Sequence, residues 1–318
     1  MKEKINFFED KSIYIIKKIM TQICRDNTSE FFGCCDRNWW HYKIRDFPSI
    51  IMQQGIYSIY ESTKIKDFLP IKNELSNLIK GGSIFWNSRA IKYGAFEEYY
   101  PFERGFPPLS FSSLAISRLL FKQIIDLKDV NKGLKISVRQ ILNKFEKQAV
   151  NQQIAAVATL AYLSNLNENL VSKFDFEKKL NETLSLQKKD GWFNEYGGYD
   201  LGYLSVSLDC LWDIYDITKN EICFNAIRKT TQFIQNQIYK LEKNFFAHNS
   251  RDTNYLLPYG IFRSYLNDDL KSEKLFFLIN LIFNNKNFFL DVIDDRYLCH
   301  YIGVSFLRTT NFLKNKYE

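Results

Sequence analysis

The sequence predicts an all-α protein. Three observations support this class: apolar side chains recur at helical spacing, no long segment alternates apolar and polar residues, and only 6 Pro and 13 Gly occur in 318 residues. A fold of many short strands and turns would need more Pro and Gly. Hydrophobic residues make up 46% and charged residues 25% of the chain, a globular mixture that excludes disorder.

Two kinds of helix are predicted. The relatively apolar ones cover residues 50–61, 110–127, 150–164 and 203–216. Further helices, most of them more amphipathic, are predicted over residues 4–25, 65–79, 134–147, 173–187, 220–240, 258–267, 270–284 and 292–314. An α/α toroid needs this alternation, because an inner ring of helices is covered by an outer ring. We therefore predict a single α/α-toroid domain over residues 1–318, with a cleft built by loops at one end.

Four polar loops rich in aromatic residues lead into helices, and such loops would form the cleft. They cover residues 35–42, 85–108, 190–198 and 248–255. Glycine and proline break helices, so we expect them to lie in the loops. Loops are also where binding and catalytic residues concentrate. Aromatic residues make up 16% of the chain, and Tyr and Trp in loops often face a ligand.

The charge is mildly positive. Lys and Arg number 43 against 36 Asp and Glu, a net charge of +7. The basic residues are scattered in short runs, which are typical of solvated helix faces and argue against a nucleic-acid partner. An anionic sugar polymer or a sugar phosphate is compatible with this balance.

The cysteines and the apolar segments indicate a compartment. The six cysteines form no CxxC pair, so no zinc site is predicted. A metal site built from Asp residues such as Asp294 and Asp295 stays open, but no ligand spacing predicts it. No signal-peptide pattern and no apolar stretch of about 18 residues is present, so we expect no transmembrane segment. The glycine pairs lie outside any strand–loop–helix pattern, which argues against a nucleotide site. We predict a cytoplasmic protein without a cofactor.

Two resemblances bear on function. The segment Gln187-Lys188-Lys189-Asp190-Gly191-Trp192 resembles the Gln-x-x-Asp-Gly-x-Trp repeats of squalene-cyclase and protein-prenyltransferase toroids, with one spacer residue fewer. Residues 36–48, 194–203 and 250–255 resemble uncharacterised bacterial proteins associated with surface-polysaccharide biosynthesis, which are similar to the α/α-toroid domains of heparinase II/III-type lyases. The second resemblance spans roughly residues 34–301 and implies a carbohydrate context without a specific reaction.

Catalytic candidates follow from the chemistry of sugars. Proton transfer in an elimination suits His or Tyr, and we single out His41, His248 and Tyr255. Hydrolysis needs two carboxylates on either side of the scissile bond, and Glu195 and Asp200 flank the Gly197-Gly198 turn. Each histidine could equally be a structural residue, and each carboxylate could cap a loop or pair with an arginine.

Binding candidates are flat aromatic faces for sugar rings and polar groups for hydroxyls and carboxylates. The aromatic set is Trp39, Trp40, Trp86, Tyr99, Trp192, Tyr199 and Tyr203. The polar set is Arg37, Arg45, Glu97, Arg251, Asn254 and Arg296. Packing between helices is the competing role for each aromatic residue.

The predicted partner is an oligo- or polysaccharide, acidic or lipid-linked. The predicted function is an enzyme acting on it by elimination, epimerisation or hydrolysis. Two alternatives stay open: a non-catalytic glycan-binding or scaffold protein, and an isoprenoid-acting toroid that would use the Asp294-Asp295 pair. The sequence does not predict an oligomeric state.

Overall fold

The computed structural model describes residues 2–94, 96–237, 249–284, 290 and 293–318. These residues form helices and connecting loops without a β-strand, which confirms the all-α prediction. The chain divides into two compact units. Unit 1 is Met1–Lys144 with Ile293–Glu318, and unit 2 is Phe145–Val292. That the whole chain is a single toroidal domain stays a prediction.

Unit 1 contains seven α-helices and three 3-10 helices among its described residues. The α-helices are α1 (Lys2–Gln22), α2 (Arg37–Trp40), α3 (Gly55–Ser62), α4 (Lys72–Tyr93), α5 (Phe106–Phe121), α6 (Leu127–Asn143) and α13 (Tyr301–Tyr317). The 3-10 helices are Ile50–Gln54, Lys66–Ile71 and Asp295–Cys299. Helices α3, α5 and α13 are buried along most of their length. The amphipathic helix α1 packs on α3 and α13, while α4 packs on α3 and α6.

Unit 2 repeats this division into buried and covering helices. Its helices are α7 (Val150–Leu166), α8 (Lys173–Leu184), α9 (Leu201–Thr218), α10 (Glu221–Asn236), α11 (Pro258–Tyr265) and α12 (Glu273–Asn284). Helices α7, α9 and α11 are apolar and mostly buried, and α9 contacts both of the others. Helix α8 packs on α7, α10 on α9 and α12 on α11. The predicted helices over 150–164, 173–187 and 203–216 are confirmed within three residues at each end.

The loop predicted around Trp86 is wrong. Helix α4 runs without interruption over Lys72–Tyr93, and Trp86 lies inside it, fully buried. Its indole Nε1 donates a 2.9 Å hydrogen bond to Ser112 Oγ of helix α5. A buried indole that is bonded to a neighbouring helix offers no face to a sugar ring, so Trp86 is a core residue.

Glycines inside helices explain that error. Gly81 and Gly82 lie within α4, against the expectation that glycine would lie in loops. A Cβ at Gly81 would meet the Phe32 ring at 2.3 Å, and one at Gly82 would lie 2.5 Å from Ile56 Cγ2. The pair is therefore required by close packing on both sides of the helix. Distant residues cause this requirement, so local propensity could not reveal it.

Candidate functional site

Three loops of unit 2 meet where they enter the buried helices α7, α9 and α11. They cover residues 145–149, 194–200 and 249–257. The backbone N–H of Val150 donates to the Asn194 carbonyl at 3.1 Å, and that of Ser250 donates to the Tyr199 carbonyl at 3.0 Å. Parts of the predicted loops 190–198 and 248–255 are thus brought together, and we call these three segments the unit 2 loop cluster.

Glu195 is the most perturbed carboxyl group of this cluster. Its side chain is only 3% exposed, and burial raises its pKa to about 8. The nearby Asp200 also raises this pKa, while a hydrogen bond from Asn151 and the charge of Arg251 lower it. Because burial disfavours the charged form most strongly, Glu195 holds its proton at neutral pH. A protonated carboxyl group can act as a general acid.

Asn151 positions Glu195 and was missed in the sequence. Its Nδ2 donates to Glu195 Oε2 at 2.5 Å from the first turn of α7. Its Oδ1 is buried and has no hydrogen-bond partner among the described residues. An unsatisfied buried amide oxygen costs about 1–3 kcal/mol, so most proteins avoid one. The available signal was an Asn in the first turn of a helix whose buried residues are mostly apolar.

Asp200 has a structural role in the same cluster. It caps α9 by accepting the backbone N–H of Tyr203 at 3.0 Å. It also accepts the backbone N–H of Arg251 at 3.1 Å, the backbone N–H of Thr253 at 3.4 Å and the Thr253 hydroxyl. Both carboxylate oxygens therefore bind donors of the protein itself. This arrangement matches the loop-capping role that competed with catalysis for this residue.

Arg251 supplies a positive charge beside Glu195. It is exposed, and its guanidinium carbon lies 4.5 Å from the centroid of the Tyr196 ring. Tyr196 has a left-handed backbone (φ 51°), and the following Gly197 has φ 93°. The turn between Glu195 and Gly198 is therefore tight, and it presents Tyr196 to solvent.

The predicted aromatic residues of unit 2 form two contacting pairs. Trp192 lies 6.0 Å from Tyr199, and Tyr203 lies 6.4 Å from Tyr255, measured between ring centroids with edge-to-face geometry. All four side chains are half-buried, so each combines packing with an accessible part. Asn254 is exposed, and His248 lies outside the described residues.

The predicted residues of unit 1 other than Trp86 lie in short helices and loops. Trp39 and Trp40 belong to the one-turn helix α2, and the exposed His41 follows it. Trp39 packs edge-on against Phe31 at 4.8 Å, and Trp40 Nε1 donates to the Gln22 carbonyl at 2.8 Å. Both tryptophans are half-buried and anchor α2 to the rest of unit 1.

Three of the four predicted anion-binding arginines make structural contacts. Arg37 donates to the Thr21 carbonyl at 3.0 Å, and Arg45 donates to the Glu98 carbonyl at 3.2 Å. Arg45 also lies 3.7 Å from Asp36, and Arg296 lies 3.4 Å from Asp294. Asp294 caps the 3-10 helix Asp295–Cys299, and Asp295 pairs with Lys18. The aspartate pair therefore joins elements of unit 1, a reason not to assign it isoprenoid chemistry.

Loop 96–105 of unit 1 carries three glutamates. Glu97 is buried, which raises its pKa, and its Oε1 accepts the Phe102 N–H at 2.7 Å. Burial and the neighbouring Glu103 raise the pKa of Glu98 to about 7. Glu103 accepts the backbone N–H groups of Glu98, Tyr99 and Tyr100 at 2.6, 3.2 and 3.1 Å. The predicted ligand Tyr99 is 63% exposed on this loop.

Other features of the described residues add no second site. A cavity of about 610 Å³ lies along α4, but its walls include no residue of the loops that enter buried helices. Within the described ranges, no group of three His, Cys, Asp or Glu side chains could hold a metal ion. Likewise, no helix of the described chain has the length and apolarity needed to cross a membrane.

Comparison of the chain with protein-family models, curated proteins and solved structures finds no match. The function is therefore inferred from the geometry and chemistry of the loops.

Proposed function

We propose that the protein acts on a glycan at the unit 2 loop cluster, with Glu195 as the group that donates a proton. The observation that supports this role best is the burial of Glu195. Burial raises the pKa of this carboxyl group to about 8, although the Asn151 amide that binds it lowers the pKa. Departure of a sugar oxygen requires a proton at that oxygen. A carboxylic acid that is still protonated at pH 7 can supply it.

Among the three reaction types, the contacts favour elimination or epimerisation over hydrolysis. A hydrolase would need a second carboxylate as base or nucleophile, and Asp200 already accepts four hydrogen bonds. In an elimination, the Tyr255 oxygen, as the phenolate that has lost its proton to solvent, would take the proton next to the sugar carboxylate, and Arg251 would neutralise that carboxylate. Glu195 would then protonate the departing oxygen. The resulting sugar would carry a carbon–carbon double bond conjugated to its carboxylate.

The finer architecture belongs to the same proposal. Among the described residues, each unit combines three mostly buried helices, α3, α5 and α13 or α7, α9 and α11, with three helices that cover them. This alternation supports an α/α-toroid fold. All six cysteines are free thiols, which supports a reducing, cytoplasmic compartment.

The non-catalytic alternative has its own supporting observation. Most predicted ligands of unit 1 anchor loops, and Asp200 does the same in unit 2, so a rigid set of loops could bind a glycan without converting it. The two functions differ in what Glu195 does. A binding protein needs only the shape and polarity of this side chain, whereas an enzyme needs its proton.

The test is a screen against acidic and neutral polysaccharides that follows ultraviolet absorbance of unsaturated sugars, new reducing ends and exchange of solvent deuterium into the sugar. We expect Glu195→Gln to lower the rate at least about 100-fold, because the amide keeps the size but cannot donate the acidic proton. The matched control is Glu182→Gln, which alters an exposed carboxyl group on α8 and should leave the rate unchanged.

Each result has one interpretation. Ultraviolet absorbance that Glu195→Gln abolishes establishes elimination, and deuterium exchange without absorbance indicates epimerisation. Reducing ends without absorbance would move the assignment to hydrolysis. If the wild-type protein binds a polysaccharide and changes none, the enzyme proposal fails and the binding alternative replaces it.

A further inference from the structure

Loop 96–105 of unit 1 exposes three large aromatic side chains within four residues. Tyr99, Tyr100 and Phe102 are 63%, 71% and 67% exposed. Single exposed apolar residues are ordinary on protein surfaces, but a dense group on one loop marks an interaction site. The aromatic loop, as we call residues 99–102, therefore differs from isolated cases such as Phe174 on α8.

The protein holds this loop in a fixed conformation. Glu103 binds three consecutive backbone N–H groups, those of Glu98, Tyr99 and Tyr100, and Glu97 binds that of Phe102. The Gly105 N–H donates to the Phe96 carbonyl at 2.9 Å and closes the loop. The exposed rings are thus presented by a backbone that four carboxylate hydrogen bonds restrain.

Backbone strain shows that the conformation is not the relaxed one. Phe102 and Arg104 have φ of 61° and 52°, in the left-handed region that side chains other than glycine rarely adopt. Such strain tends to occur at functional sites. Lys144 Nζ donates to the Arg104 carbonyl at 2.7 Å and helps to hold the strained end.

A second segment adds aromatic and apolar surface beside this loop. Arg45 donates to the Glu98 carbonyl, so the segment before Arg45 lies next to the aromatic loop. In that segment Tyr42 is 56% and Ile44 is 69% exposed, and Lys43 has φ 56°. Two segments with left-handed residues therefore expose large side chains, and the Arg45–Glu98 hydrogen bond links the two segments.

We propose that the aromatic loop binds the pyranose rings of a glycan chain, with Tyr100 and Phe102 as its main contacts. The choice of ligand rests on the proposed function, and two observations on this surface agree with it. Rigid tyrosine rings offer a flat apolar face and a hydroxyl at small entropic cost, as sugar rings require. Acidic and basic groups are mixed around the loop, with Glu97, Glu98 and Glu103 near Arg45, Arg104 and Lys144, and this is not the dense basic cluster that binds an anionic membrane.

Affinity electrophoresis tests this binding with defined probes: dextran as a neutral polysaccharide, and hyaluronan and alginate as acidic ones. The wild-type protein should be retarded in at least one gel. The double variant Tyr100→Ala/Phe102→Ala should bind that polysaccharide about tenfold more weakly. Both side chains are exposed, so the variant should keep the wild-type melting temperature. The matched control Phe174→Ala removes an equally exposed ring from unit 2 and should bind as the wild type does.

The outcomes separate this inference from the enzyme proposal. Glu195→Gln should keep its retardation, because it alters proton donation and leaves the aromatic loop intact. If the double variant binds more weakly and neither the wild type nor any variant converts the polysaccharide, glycan binding by the aromatic loop is supported and the enzyme proposal is refuted. If the double variant binds as the wild type does, or if no gel retards the wild type, the proposal that the aromatic loop binds a glycan is overturned. Cosedimentation with phosphatidylglycerol vesicles that the double variant loses would assign the loop to membranes and overturn it as well.

Discussion

The loops of unit 1 and unit 2 are built with the same devices but make different use of their carboxyl groups. In each unit a buried aspartate caps a helix and accepts a backbone N–H from another loop: Asp36 binds Asn38 and Ser49, and Asp200 binds Tyr203 and Arg251. In each unit a glutamate also binds consecutive backbone amides. Glu146 does so in unit 2, accepting from Gln148 and Ala149.

The two units differ in the hydrogen bonds of a buried glutamate, Glu97 in unit 1 and Glu195 in unit 2. In unit 1, Glu97 accepts the backbone N–H of Phe102 in the aromatic loop, so one of its carboxylate oxygens stabilises the loop. Among the described residues, the side chain of Glu195 accepts a hydrogen bond from the Asn151 amide and none from a backbone N–H. Burial raises the pKa of both glutamates, and the backbone N–H bound by Glu97 opposes that rise. The comparison teaches that burial is the main cause of the high pKa of Glu195, about 8, and that a side-chain amide rather than a backbone N–H opposes it there.

The largest effect should come from the aspartate caps. Asp200→Ala would leave the N–H groups of Tyr203, Arg251 and Thr253 and the Thr253 hydroxyl without their acceptor. We expect a loss of about 4 kcal/mol in the free energy of unfolding. For Asp36→Ala we expect about 2 kcal/mol, because the Asp36 side chain accepts fewer hydrogen bonds than that of Asp200. Urea unfolding followed by circular dichroism measures both.

The control for the caps is Asp190→Asn, a change at an exposed turn that should shift stability by less than about 0.5 kcal/mol. If Asp36→Ala were as damaging as Asp200→Ala, the two aspartates could not be ranked by their hydrogen bonds.

The next effect concerns pH. Glu195 has a folded pKa of about 8 against an ordinary value of 4.5, so the folded state holds a proton that the unfolded chain releases between these values. Its contribution to stability is complete below about pH 4.5 and is lost as the pH rises to about 8. Glu195→Gln stays neutral, so its stability relative to the wild type should rise by about 4 kcal/mol across this window.

Glu98 sharpens this prediction. Its pKa is about 7. As the pH rises, the stability that Glu98→Gln gains over the wild type should therefore level off near pH 7, one unit earlier than for Glu195→Gln. Melting temperatures between pH 4 and pH 9 would show the two curves. If the difference in melting temperature between Glu195→Gln and the wild type did not change over this range, Glu195 would not be protonated at neutral pH. Its proposed catalytic role would then lose its basis.

The smallest effect should come from the glutamates that bind backbone amides. Glu103→Gln keeps one acceptor oxygen and loses the other, so we expect a loss of about 1 kcal/mol in stability. Amide hydrogen exchange should become faster at Tyr99 and Tyr100, which Glu103 binds. Glu146→Gln is the matched variant and should accelerate exchange at Gln148 and Ala149 instead. Equal acceleration in both loops by either variant would contradict these separate roles.

The sequence by itself determined the helical class, several helix boundaries and the loops that carry the site. Helical periodicity is local, because side chains three and four residues apart share a face whatever surrounds them. The helices over 150–166 and 201–218 and the loop residues of 194–200 could therefore be predicted. The fully buried Trp86 could not, because its surroundings depend on helix α5 and on glycines that distant residues require.

Only the tertiary structure decided which carboxyl group remains protonated. Glu195 and Asp200 are equivalent candidates in the sequence, five residues apart on either side of a glycine pair. The fold brings Asn151 to one of them, and the backbone N–H groups of Arg251 and Thr253 to the other. A pKa depends on desolvation and on partners contributed by distant segments, and these exist only once the chain has folded.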